Sequence, residues 1–366
     1  MSAATTGPMA SSSHRRTGLG LLAAWQQNGF VRLLVRRALA TVVLGIGITL
    51  VAFVLTHIIP ADPAAVNLGV RGLGNPQVVA AYRAEYGLDK PIVVQYQIYI
   101  THLLHGDLGI SQLTRRPVAT DLRQFVPASF ELGVLAVFIA IAVGVPLGLV
   151  AAVRKDSIID QLLSFISLGG ISTPLFWIGL IALYLFSFVF QIAPSGGRLS
   201  PGILPPPQIT GLYTIDSLLA GDISTLGDAV HHLILPAVVL AVGGIGVLLR
   251  FTRSAVLEVI HNDYVTSARA KGLSRSAVLL RYTLRAALTP ILTISGLMFA
   301  DLITGAVLVE SVFAFPGVGL YAARAALDID LPAITGVCIF VAIVYTTTNF
   351  LVDVLHSLID PRVRLA

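Results

Sequence analysis

Charge is scarce in this chain. Asp, Glu, Lys and Arg make up 12% of its 366 residues, against 55% hydrophobic, where a soluble domain carries roughly 25% charged and 45–50% apolar residues. A water-soluble globular protein is excluded. Cysteine is nearly absent: Cys338 alone, inside an apolar run, rules out a disulfide framework or a cysteine metal site and is expected to serve packing. Lysine occurs only at Lys90, Lys155 and Lys271, none followed by Ser or Thr in a glycine-rich loop. A phosphate-cradling GxxxxGK[ST] loop is therefore missing, and the chain cannot hydrolyse ATP by that machinery. Carboxylate-rich metal motifs are lacking too. His231 and His232 are adjacent, so their side chains diverge on a helix, and an interfacial position is expected. The formal charge of +5 could suggest nucleic acid, but the 24 basic residues are scattered at the ends of apolar runs, and nucleic-acid binding is rejected.

What is present is a series of apolar runs long enough for a bilayer, about 20 residues each. The fold class expected is all-α, a polytopic membrane protein with six transmembrane helices. Residues 1–34 read as a cytoplasmic tail and 35–59 as the first span, too long for a cleavable signal sequence. Residues 60–128 read as an external loop with short helices, one opened by Asn75-Pro76 and closed by Gly87, the next opened by Pro91 and ending near Gly106. Further spans are expected at about Phe130–Val153, Asp160–Phe190, Leu233–Leu249, Ala286–Val309 and Pro332–His356, within a membrane domain 129–358, with 359–366 as the C-terminus. The run 160–190 exceeds one bilayer crossing, and is taken as one tilted helix kinked at Pro174. In this layout 16 basic residues face inward and 8 outward, as the positive-inside rule requires, with both termini cytoplasmic. Gly243, Gly244 and Gly246 are expected to let helices approach closely.

Ionisable residues at mid-membrane are costly and mark function. Asp301 is the clear case, expected to face an aqueous path or bond a neighbouring helix rather than relay protons. Asp353 and His356 sit nearer a span end. Pro174, Trp177 and Asp301 are the candidates for a translocation path, with Trp177 fitting an aromatic belt at the membrane interface equally well.

The segment Asp263–Pro290, DYVTSARAKGLSRSAVLLRYTLRAALTP, is basic, helix-prone and set between two spans. Asn262 or Asp263 is expected to cap a short helix, Arg269 and Lys271 to complement its negative end, and Gly272 to stop it in the left-handed conformation. Ser274 then caps a second helix in which Leu280, Leu284 and Leu288 repeat every four residues along one face.

Here the chain resembles a known family. Ala268, Gly272 and Leu284 fall on the EAA-loop pattern of ABC importer permeases, and DYVTSARAKGLS is closer still to the dipeptide, oligopeptide and nickel branch. HIIPADPA, YGLDKPIVVQY, HGDLGIS, GAVLVESVFAFPGVG and NFLVDVLHSLIDPRVR are similar to the same branch. The pattern is not met everywhere, since Thr266 stands for its Glu, Ser267 for its first Ala, Tyr282 for its Ile and Arg285 for its Pro. The resemblance implies a type I ABC importer permease fold in the bacterial plasma membrane, moving peptides or related small solutes. It implies a second homologous permease subunit, two ATPase subunits and an external substrate-binding protein as partners, with no cofactor in this chain because ATP is bound by the ATPases. It also implies that the loop 251–286 docks on the ATPase through Asp263, Tyr264, Ser267, Ala268, Arg269, Ala270, Lys271, Gly272 and Leu273.

Overall fold

The computed structural model describes residues 29–58 and 75–359. The chain order is α1 (Gly29–Ile58), α2 (Pro76–Tyr86), α3 (Ile92–Leu104), α4 (Val118–Val153), α5 (Ile158–Ser172), then α6 (Leu175–Leu183), which runs on as a π-helical turn Tyr184–Val189. After an irregular connection come α7 (Tyr213–Leu219), α8 (Ile223–Val259) and α9 (Asp263–Ala270). A short turn Arg275–Ala277 and a π-helical stretch Val278–Leu284 then lead into α10 (Arg285–Thr304), followed by α11 (Val307–Val312), α12 (Val318–Leu327) and α13 (Leu331–Ile359). The described residues form no strand, only an isolated bridge between Ile110 and Pro117. The all-α membrane fold holds.

Among the described residues, four helical stretches are long and apolar enough to cross a bilayer: Val118–Val153, Ile223–Val259, Arg275–Val312 and Leu331–Leu355. A fifth appears if α5 and α6 count together, yet these are bent by 96°. The expected single tilted helix over 160–190 is therefore corrected to two. Thr173, forced out of the helical region by the following proline, is extended (φ −83°, ψ 130°), and Pro174 starts α6. Each arm, fifteen residues or about 22 Å long, falls short of the ~30 Å hydrocarbon layer.

The helices also begin earlier than the apolar runs do. α4 starts at Val118, inside the segment assigned to the external loop, and α8 starts ten residues before Leu233. Amphipathic flanks extend these helices beyond what hydropathy alone marks. The two short outer helices form where expected. Asn75 Oδ1 accepts from the N–H of Gln77, Gly87 closes α2 at φ 62°, and Pro91 precedes α3.

α4 and α8 lie side by side and run parallel, since Gly144 meets Leu248 and Gly148 meets Thr252. Their seam holds the main core, where Leu132, Leu240, Leu248, Phe313 and Phe315 are buried. At Gly246 of α8 an added Cβ would sit 2.8 Å from the Ser167 carbonyl of α5, and Ser167 Oγ donates to the Gly246 carbonyl at 2.7 Å. Glycine here is required by helix contact. Cys338, on α13, is exposed rather than buried in the core.

Candidate functional site

The segment after α8 turns back on itself. α9 is about two turns, roughly 12 Å. Its N-cap, Asn262, makes no side-chain capping bond, so the expected Asn or Asp cap is absent. The stop is as the sequence indicates: Gly272 has φ +76° and its N–H donates to the Arg269 carbonyl at 3.0 Å. Ser274 Oγ accepts from the Ala277 N–H at 3.3 Å and opens the next helix.

A small apolar seam fixes α9 to the bundle. Val265 and Ala268 are buried against Val278, with Val259 at its edge. Burying a Val side chain is worth about 1.5–3 kcal/mol, so the seam suffices to dock two turns without making them part of the core. Asp263, Tyr264, Ser267, Arg269, Ala270, Lys271, Gly272 and Leu273 are exposed, and of the nine residues proposed for ATPase contact only Ala268 faces inward. Arg269 reaches back to the Ile260 carbonyl at 3.4 Å. The result is a short basic knob whose apolar side is satisfied and whose outer side is free for another surface.

The leucine stripe expected next does not form. Residues 278–284 are π-helical, with Thr283 Oγ1 bonded to the Val278 carbonyl five residues back, and the wider turn breaks the four-residue repeat. Leu280 and Leu288 are exposed, while Leu284 packs against the cluster of Ala287 and Ile291.

Pro174 stands at the α5–α6 bend, with Trp177 exposed one turn on. Asp301, on α10, is exposed and accepts a short hydrogen bond from the Tyr345 hydroxyl of α13. Asp301 thus bonds a neighbouring helix, one of the two roles foreseen, and is joined to Tyr345 rather than to Pro174 or Trp177. His231 lies within 2.8 Å of the Ile192 carbonyl, and His232 is buried 3.6 Å from the Asp228 carboxylate.

Several polar residues that tie the helices together had not been singled out. Asp160, buried at the head of α5, accepts from Nε and Nη2 of Arg253 on α8 at 2.6 and 2.8 Å, and from the Asp156 N–H at 2.9 Å. This bidentate pair clamps the bent helices to the stem that carries α9. Glu310 is fully buried between α11 and α12. Ser129 Oγ donates to it at 2.6 Å and the Leu320 N–H at 2.8 Å, and Val318 N–H donates to the same Ser129 at 2.7 Å. The available signal was a glutamate within the otherwise apolar run 305–315.

Outside the spans, Asp216 organises the turn before α7. Burial opposes its charge, but the hydroxyl and N–H of Thr210 with the N–H groups of Gly211 and Ile209 outweigh that and hold its carboxyl below the usual range.

Residues 144–365 match the family described as binding-protein-dependent transport system inner membrane component, and residues 30–117 match that described as its N-terminal membrane component. A probable D,D-dipeptide transport system permease from Escherichia coli K12 is 41% identical over 91% of this chain and 98% of its own length. A dipeptide transport system permease from the same strain is 41% identical over 87% and 94%, and a di/tripeptide transport system permease from Pseudomonas aeruginosa is 41% identical over 87% and 94%. A solved methionine ABC transporter in inward-facing conformations aligns with TM-score 0.49 and 17% identity over 65% of this chain and 96% of that one.

Proposed function

We propose a mechanism from the premise that this chain belongs to the family of binding-protein-dependent transport system inner membrane components. It is a membrane-spanning permease subunit of an importer for peptides or related small solutes. Its finer features are our inference. Six spans, counting α1 and taking the bent pair α5–α6 together as one, would form half of the translocation path in the bacterial plasma membrane, with both termini cytoplasmic and a second permease subunit supplying the other half. An external binding protein would deliver the solute, and two ATPase subunits would drive alternation between outward- and inward-open states.

The observation that carries the coupling proposal is the exposed basic knob. α9 and its glycine stop present Asp263, Tyr264, Ser267, Arg269, Ala270, Lys271, Gly272 and Leu273 outward, while Val265 and Ala268 hold it to the bundle. Force applied to α9 would pass through the Val259–Val265–Val278 seam into α8 and α10, and through Arg253 and Asp160 into the bent pair α5–α6. Pro174, Trp177 and Asp301 are proposed to border the path.

Uptake in proteoliposomes tests this. Solute should enter only with the ATPase subunits and ATP present. Uptake by the permease alone under a pH gradient would replace the proposal with a stand-alone carrier that uses Asp301.

A further inference from the structure

The end of the bundle opposite α9 carries a cavity that the apolar spans do not explain. Its volume is about 290 Å³, at the lower edge of the roughly 300–1,000 Å³ of small-ligand sites. Arg123 and Gln124 at the head of α4 form one wall, and Arg198, Gln208, Thr210 and Tyr213, from the connection between α6 and α8, form the other. α8 begins at this end and places about 55 Å of helix between it and α9.

The lining holds two guanidinium groups and no carboxylate. Arg198 is 8% exposed and lies 3.5 Å over the Tyr213 ring. Its Nη2 donates to Glu131 at 2.6 Å and to the Gly211 carbonyl at 3.2 Å, but its buried Nε–H has no partner among the described residues. A buried charged donor left unmatched is costly and calls for an acceptor.

The nearby carboxylates are already engaged. Glu131 also accepts from the N–H and hydroxyl of Thr214 at 2.7 and 2.6 Å, Asp216 is taken by Thr210 and Gly211, and Asp121 pairs with Arg116 at 2.6 Å. Arg123, exposed at the mouth, makes no ion pair among the described residues. The cavity therefore offers a free guanidinium fork, an unmatched guanidinium N–H and two glutamine amides. This donor-rich set suits a planar anion.

We propose that this cavity is a carboxylate-binding site, in which Arg123 supplies the charge and Arg198 Nε, with Gln124 and Gln208, fixes the orientation. A volume of about 290 Å³ suits the carboxylate-bearing end of a ligand rather than a long peptide. Such a group is either the free terminus of a peptide or an acidic side chain of a protein docked on this face.

Two measurements on the full chain, assembled with its partners in nanodiscs without nucleotide, decide the matter. Saturation-transfer NMR compares alanyl-alanine with its C-terminal amide, and surface plasmon resonance follows association of the external binding protein. Arg123→Ala is the main variant, since an exposed residue can be truncated without unfolding, and size-exclusion elution confirms assembly. Arg198→Lys keeps the charge beside Glu131 while removing Nε. Binding of the dipeptide but not the amide, weakened about tenfold or more by either variant, supports the site and assigns it to free peptide termini. No dipeptide binding, but about tenfold weaker protein association in both variants, supports the site and assigns it to a docked side chain. Equal binding of dipeptide and amide, or no effect of either variant in both measurements, overturns the proposal. Neither measurement involves ATP, so failure here leaves the coupling proposal untouched.

Discussion

Gly272→Asp is the most informative single change in the knob. Gly272 has φ +76°, and an added Cβ would meet nothing within 4 Å, so the cost to the fold is backbone strain alone. For an L-residue in the left-handed region that is about 1–2 kcal/mol, with Asp toward the lower end. Set against the ~5–15 kcal/mol that holds a typical domain, the variant should insert and assemble its bundle. The docking surface fares differently, because a carboxylate buried against an ATPase without a partner costs several kcal/mol. A loss of about 3 kcal/mol corresponds to roughly 100-fold weaker engagement. Proteoliposomes containing the complete transporter should therefore show wild-type amounts of permease, ATP hydrolysis by the ATPase subunits, and solute uptake reduced at least about tenfold. Gly272→Asn, which carries similar strain without the charge, should retain most uptake. Normal uptake by Gly272→Asp with an intact ATPase would refute the reasoning, and equal loss in both variants would trace the defect to strain rather than docking.

Other consequences follow from the polar ties. Asp160→Ala leaves Arg253 without its partner and should cost about 3 kcal/mol, while adding Arg253→Ala should restore part of that, as a thermal-unfolding double-mutant cycle in detergent would show. Asp301→Asn keeps an acceptor for Tyr345 and should change the initial uptake rate only modestly; complete loss would point to ion coupling. Asp216 has a depressed pKa, so its contribution is fully present above the ordinary carboxylate pKa of about 4 and is lost as pH falls below that, through the folded value. The protection factors of the Thr210 and Gly211 amides, from which the intrinsic pH dependence of exchange has been divided out, should fall only in that acid window, and Asp216→Asn should remove that acid-specific fall.

The parts of this molecule visible in its sequence are those set by local chemistry. Gly272 and Ser274 mark the ends of their helices because a left-handed glycine and a capping hydroxyl act within three residues, and Asn75, Gly87 and Pro91 do the same for the outer helices. Apolar length reveals spans, but it cannot register Val118–Phe130, where amphipathic turns prolong α4, nor separate a tilted helix from two arms bent at Thr173-Pro174. The π-helical stretch at 278–284 defeats any four-residue repeat, since one extra residue in a turn redirects Leu280. The long-range pairs were hidden for another reason. Arg253 lies 93 residues from Asp160, and Ser129 lies 181 from Glu310, and no local pattern announces such partners. The exposed side of α9 was legible because its polar residues interrupt an otherwise oily chain.

Protection of α9 in the assembled transporter tests the central claim most directly. In a Cys338→Ser background, Ser267→Cys should react readily with a bulky water-soluble maleimide in the isolated permease and be shielded once the ATPase subunits are bound. Full reactivity in an assembled, ATP-hydrolysing complex would contradict the account.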